Sequence, residues 1–187
     1  MGELTELLQG LRDGDGGSVD RVFVLTYREL RELAHQRLRR AHPITVLDTT
    51  SLVHECYLRL VRLGQLNAGD RSHFLAYAAR VMRSIIVDTI RNRLAQRRGG
   101  GELHVTLGTD VADNVAASEQ EALRVDEALE ELAKLDERLV RVVEMRYFVG
   151  LSPEEIADAL GVTSRTVRRD WEKARLLLHA ALRDGVG

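Results

Sequence analysis

Arg165, Arg168 and Arg169 fall within five positions of one another and are interleaved with Thr163, Ser164 and Thr166. A guanidinium can bridge O6 and N7 of a guanine with two hydrogen bonds, which discriminates that base by about 1–3 kcal/mol. Hydroxyls and backbone amides at the start of a helix hold phosphate oxygens without reading sequence. A second group comprises Arg80, Arg83, Arg91, Asn92, Arg93, Arg97 and Arg98. Positions 80 and 91 lie about three helical turns apart, so they share a face. Both groups are suited to gripping a polyanion by displacing its counterions, an interaction that weakens steeply with salt. Lys173 and Arg175 extend the first group, either onto phosphate or into solvent.

Bond-making chemistry has no comparable support. His35, His42, His54, His73, His104 and His179 are scattered, and none sits at metal-ligand spacing. Gly99, Gly100 and Gly101 follow a basic helical stretch rather than a strand, so they do not form a phosphate-cradling loop. No catalytic residue, metal ligand or cofactor is predicted. Cys56, the single cysteine, lies in an apolar helical pattern and reads as a buried thiol. A lone cysteine fits the cytoplasm. No apolar run reaches the roughly 18 residues of a membrane span, so no membrane insertion is expected. Glu3 and Glu6 stand where a secretory signal would be basic.

The formal charge of −2 hides a marked asymmetry. Residues 102–137 carry eleven acidic and two basic side chains, a net of −9. The flanking stretches 80–98 and 163–183 carry +5 and +4. Two basic blocks on either side of an acidic one suggest two separate contacts with nucleic acid.

The elements that would position these arginines read as helices throughout. Ser152, Pro153 and Glu155 give a capping box with proline at the first helical position. Ile156, Ala157 and Leu160 form one face, Gly161 turns the chain, and Thr163 caps a second helix. In that helix Val167 and Trp171 point inward and the three arginines outward, which is the geometry of a helix-turn-helix. Upstream, apolar stripes predict a short helix over Met1–Gly10 and a long one from Ser18 to Ala41, with Val22, Leu25, Leu30, Leu33, Ala34 and Leu38 inward. A third helix, Leu52–Leu63, is capped by Thr50 or Ser51, and a fourth runs from Ser72 to Arg97. Glycines at 14, 16, 17, 64 and 99–101, with Pro43, punctuate these helices. Glu102–Ser118 lacks periodicity and reads as a linker. Helices then follow over Glu119–Lys134 and Leu135–Phe148, the latter with Leu139, Val142, Val143 and Tyr147 inward. The last spans Ser164–Leu182, with Leu176, Leu177, Ala180 and Ala181 packing inward.

Three segments in this order resemble bacterial RNA polymerase sigma factors of the extracytoplasmic-function (ECF) group. Leu52-Val-His-Glu-Cys-Tyr-Leu-Arg-Leu60 is similar to the polymerase-binding helix of sigma region two. Phe74 to Arg93 is similar to the region-two helix that melts and reads the promoter −10 element, and Tyr147 to Arg175 to the region-four helix-turn-helix that reads the −35 element. The resemblance implies an all-α protein of two helical domains joined by a flexible acidic linker: region two over residues 1–98, linker 99–118 and region four over 119–187. It implies core RNA polymerase (clamp and flap) and promoter DNA as partners, with both arginine groups as the DNA surface. The polymerase-binding set it implies is Asp48, Thr49, Thr50, Ser51, Glu55 and Arg59. Phe74 and Tyr77 could stack on an extruded base, but their spacing favours the core.

One departure matters. The family pattern is rich in acids just before Leu52-Val53, where this chain reads Asp48-Thr49-Thr50-Ser51. Hydroxyls there suit helix capping. They also suit phosphorylation, which adds about −1.5 to −2 charges per site. A Ser/Thr kinase acting at Thr49, Thr50 or Ser51, with Thr50 first, would restore the missing negative surface. An anti-sigma factor is the other regulator such a protein could have, and the sequence does not choose between them. The alternative function is a dimeric helix-turn-helix regulator acting without polymerase, which would leave the basic fourth helix without a role.

Overall fold

The computed structural model describes residues 3–12, 17–40, 47–63, 70–98 and 109–184. All regular structure among them is helical, in the order α1 (Glu3–Arg12), α2 (Gly17–Arg40), α3 (Thr49–Leu63), α4 (Arg71–Arg98), α5 (Thr109–Leu135), α6 (Glu137–Val143), a π-helical turn (Glu144–Val149), α7 (Pro153–Leu160) and α8 (Ser164–Asp184). The breaks expected at Gly14, Gly16, Pro43, Gly64 and Gly99–Gly101 lie outside the described residues, and Gly17 opens α2.

Helices α1 to α4 enclose one core. Leu8, Val22, Leu30, Leu52, Val53, Cys56, Phe74, Ala78, Met82 and Ile90 are buried in it, and Tyr77 is half-buried against it. The apolar repeat of α4 therefore drives its packing, as the three- and four-residue spacing requires. Leu25 is an exception to the expected stripe of α2: it is about half exposed, beside a more exposed Val24. Helix α3 starts earlier than expected and has a different cap. Asp48 accepts the Ser51 backbone N–H at 2.9 Å and the Ser51 hydroxyl at 3.0 Å. Thr49, Thr50 and Ser51 thus occupy the first turn, because a carboxylate is a capping acceptor at least as good as a hydroxyl.

Helices α5 to α8 build two further cores. Leu129, Leu132, Leu139, Val140, Val143 and Ala174 form one. Val142, Met145, Leu151, Ile156, Ala157 and Val167 form the other. Val149 packs against all three cores among the described residues.

Three expectations for this half are corrected. The stretch read as linker, 99–118, is helical from Thr109 onward, and residues 99–108 lie outside the described residues. The helix expected over Leu135–Phe148 begins after Asp136, whose side chain accepts the Arg138 N–H, and ends in the π turn. That turn buries Met145 and Phe148 and leaves Tyr147 about half exposed, since the wider winding displaces the α-helical register. In α8 the inward stripe runs through Val167, Asp170, Trp171, Ala174, Leu177 and Leu178. Leu176 faces out at 71% exposure, and Ala180 and Ala181 are exposed with it.

Candidate nucleic-acid interface

The corner between α7 and α8 is fixed by local hydrogen bonds. The Glu155 N–H donates to Ser152 Oγ at 3.2 Å, and the Ser152 N–H donates back to Glu155 Oε2 at 2.8 Å. The Ser152 backbone N–H, and after it the Ser152 hydroxyl, hold the Glu155 carboxyl below its ordinary range. Gly161 sits at φ 64°, a left-handed conformation that closes α7 and lets the Val162 N–H reach the Ala157 carbonyl at 3.0 Å. Thr163 Oγ1 then accepts the Thr166 N–H at 3.2 Å and starts α8. Val167 is fully buried against α7, so the opposite face of α8 is presented outward.

That outward face carries Arg165, Arg168 and Arg169, all exposed. Arg168 pairs with Glu154 of α7 at 3.0 Å, and Arg169 approaches Asp170 at 3.7 Å. Arg165 has no partner among the described residues. Thr163 is exposed, while Ser164 and Thr166 are half-buried. Behind this surface Asp170 is buried and accepts Arg138 Nε of α6 at 2.7 Å, and Arg146 lies over the Trp171 ring, 5.1 Å from its centroid.

The second arginine group lies on α4, but most of it faces carboxylates of the second half of the chain. Arg83 donates to Asp126 of α5 at 3.0 Å and to Glu144 of the π turn at 3.1 Å. Arg91 reaches the other oxygen of Asp126 at 3.4 Å. Arg93 and Arg97 share Glu119, at 2.8 Å and 3.1 Å. Arg80 and Asn92 are exposed, and the side chain of Arg98 lies outside the described residues. Sequence reasoning named these arginines but not Glu119, Asp126 or Glu144. The only signal for their role was the net negative charge of residues 102–137, and Glu144 lies beyond even that stretch.

The first turn of α3 forms a third surface. Asp48 is exposed, and its carboxyl is held low by the Ser51 backbone N–H and then the Ser51 hydroxyl. Thr50 and Ser51 are exposed, whereas Thr49 is half-buried. Thr49 lines a cleft of about 380 Å³ with Arg28, Arg31, Glu32 and His35 of α2. Further along α3, Arg59 bonds Asp88 at 2.8 Å and Ser84 at 3.0 Å, with Glu55 at 3.8 Å. Arg59 therefore ties α3 to α4.

The capped corner thus carries an arginine-bearing second helix and follows a four-helix unit. Residues 1–184 match the family model of ECF sigma factors. The chain belongs to the ECF sigma factor family. No curated protein matches it. As an ECF sigma factor it acts with RNA polymerase in promoter-specific transcription initiation, and core polymerase and promoter DNA are its partners. ECF sigma factors are regulatory transcription factors rather than enzymes. No helix among the described residues is long and apolar enough to cross a membrane.

Proposed function

We propose that this ECF sigma factor works in the cytoplasm, reads the −35 element with α8 and the −10 element with α4, and is activated by phosphorylation in the first turn of α3. The two functional units are residues 1–98 and 119–187. On α8, Arg165, Arg168 and Arg169 address base edges and phosphates, and Thr163, Ser164 and Thr166 hold backbone phosphates. On α4, Arg80, Arg83, Arg91, Asn92, Arg93, Arg97 and Arg98 address the melted strand.

The polymerase clamp would meet Asp48, Thr49, Thr50, Ser51, Glu55 and Arg59, and the flap would meet the second unit. The observation that carries the regulatory part is the spending of the one carboxylate in this turn. Asp48 is committed to capping α3, so the three hydroxyls beside it are left to supply negative charge. Ser51 donates its hydroxyl to Asp48, whereas the exposed Thr50 hydroxyl makes no such bond among the described residues, which favours Thr50 as first acceptor. A phosphate at this position also faces the positive end of the α3 dipole. A protein Ser/Thr kinase is then the regulator, in preference to an anti-sigma factor.

The test is core-polymerase binding and run-off transcription with Thr50→Glu and Thr50→Ala. The glutamate variant should bind core and initiate, and the alanine variant should do neither. Equal binding by alanine and by kinase-treated native protein would refute the phosphorylation reading while leaving the promoter reading intact.

A further inference from the structure

We infer that Glu119, Asp126 and Glu144 stand in for nucleic-acid phosphates, closing over the arginine face of α4 in the free protein and giving it up when core polymerase binds. This rests on the reading of α4 as the surface for the melted strand.

The geometry is that of phosphate recognition turned inward. Four arginines spaced along α4 meet three carboxylates from α5 and the π turn, at 2.8–3.4 Å. Charged donors at this range treat carboxylate and phosphate oxygens alike. The carboxylates are well covered, with side-chain exposures of 0% for Glu119, 9% for Asp126 and 5% for Glu144. Arg83 and Arg93 are covered with them, at 16% and 10%. While these pairs hold, neither arginine can reach a strand.

The contact also has the character of one that can be exchanged. Ion pairs taken out of water regain little beyond their desolvation cost. Arg83 Nε is buried without a hydrogen-bond partner, so the network is incompletely satisfied. Burial first, and then the neighbouring Glu130 and Asp88, push the Asp126 carboxyl upward despite Arg83 and Arg91 beside it, so its charge is not fully compensated where it sits. The apolar part of the contact consists of Ala76 and Ala79 of α4 against the cores of the second half, and of Ala122, Leu123 and Val149 against the first core. Polymerase binding that draws the two halves apart would exchange three internal carboxylates for strand phosphates with no loss of charge pairing.

The experiment compares full-length native protein with the triple variant Glu119→Gln, Asp126→Asn, Glu144→Gln. Binding to a fluorescein-labelled single-stranded 20-nucleotide DNA of random sequence, without polymerase, should tighten by about tenfold or more, with a steeper salt dependence. X-ray scattering should show a larger radius of gyration. A triple variant of native helicity that stays as compact and binds no tighter overturns the inference. A variant that expands, yet whose binding is unaffected by adding Arg83→Ala and Arg93→Ala, overturns instead the reading of α4 as a strand-binding surface. If the triple variant does not fold, amide exchange of the native protein decides. Core polymerase should deprotect the Glu119–Asp126 stretch of α5, and unchanged exchange there would refute the release.

Discussion

Arg138 of α6 donates its Nε to the carboxylate of Asp170 on α8 at 2.7 Å, and the carboxylate is 3% exposed while the guanidinium remains 43% exposed. Asp170 occupies a position on the inward stripe of α8 that would otherwise be apolar, so its charge must be answered from a neighbouring helix. Arg138→Ala should lower unfolding stability by about 2 kcal/mol, because it leaves a buried acceptor largely unpaired. Urea denaturation followed by circular dichroism measures this. Asp170→Asn, which keeps the shape and drops the charge, should cost less.

Gly161 is held at φ 64° with nothing within 4 Å of where a Cβ would lie. Gly161→Ala should therefore cost about 1–2 kcal/mol through backbone strain alone, and Gly161→Asn should recover part of it. Thermal midpoints of the three proteins give the comparison. A loss in the alanine variant with no difference in the shape of α8, seen by amide exchange, separates strain from repacking.

Arg165→Ala should leave stability unchanged, since the side chain is exposed and has no partner among the described residues. Promoter binding by the reconstituted holoenzyme should weaken. Loss of a phosphate contact would reduce the salt slope by about one at every promoter, whereas loss of a guanine contact would cost about 1–3 kcal/mol at one base position. Titrations at several salt concentrations on promoters altered in the −35 element distinguish the two.

Burial raises the Cys56 thiol to about 12, and its Sγ lies 3.8 Å from the Ala78 carbonyl in the first core. Iodoacetamide should fail to label the folded protein at pH 8 and label the unfolded chain readily. The folded thiol holds its proton to higher pH than the unfolded one. Its contribution is therefore complete below the ordinary thiol range and is lost as pH rises toward 12, at up to about 1.4 kcal/mol per pH unit. Cys56→Ala should flatten that part of the stability profile.

How much of this was legible from sequence depends on range. The Ser152–Glu155 box, the Gly161 turn and the Thr163 cap are each closed within a few residues, and their residue types state their geometry. The start of α5 is hard to read because the short repeat of Val111 and Val115 is interrupted by Asp110, Asp113 and Asn114, residue types that favour loops. The π turn carries no proline or glycine to mark it, so ordinary α-helical spacing points Tyr147 inward, whereas it lies about half exposed. The apolarity of Leu176 suggests an inward position, although the stripe set by Val167 and Ala174 excludes it. The pairing of Arg83 with Asp126 and Glu144 joins residues 43 and 61 positions apart, a distance over which composition reports net charge but not partners.

Val149 ends the π turn packed against each of the three hydrophobic clusters among the described residues. Severing the peptide chain between α4 and α5 should consequently not yield two fragments that part company. They should co-elute from a sizing column at low salt as a nicked but reassembled protein, and replacing Val149 with a polar residue should let them drift apart.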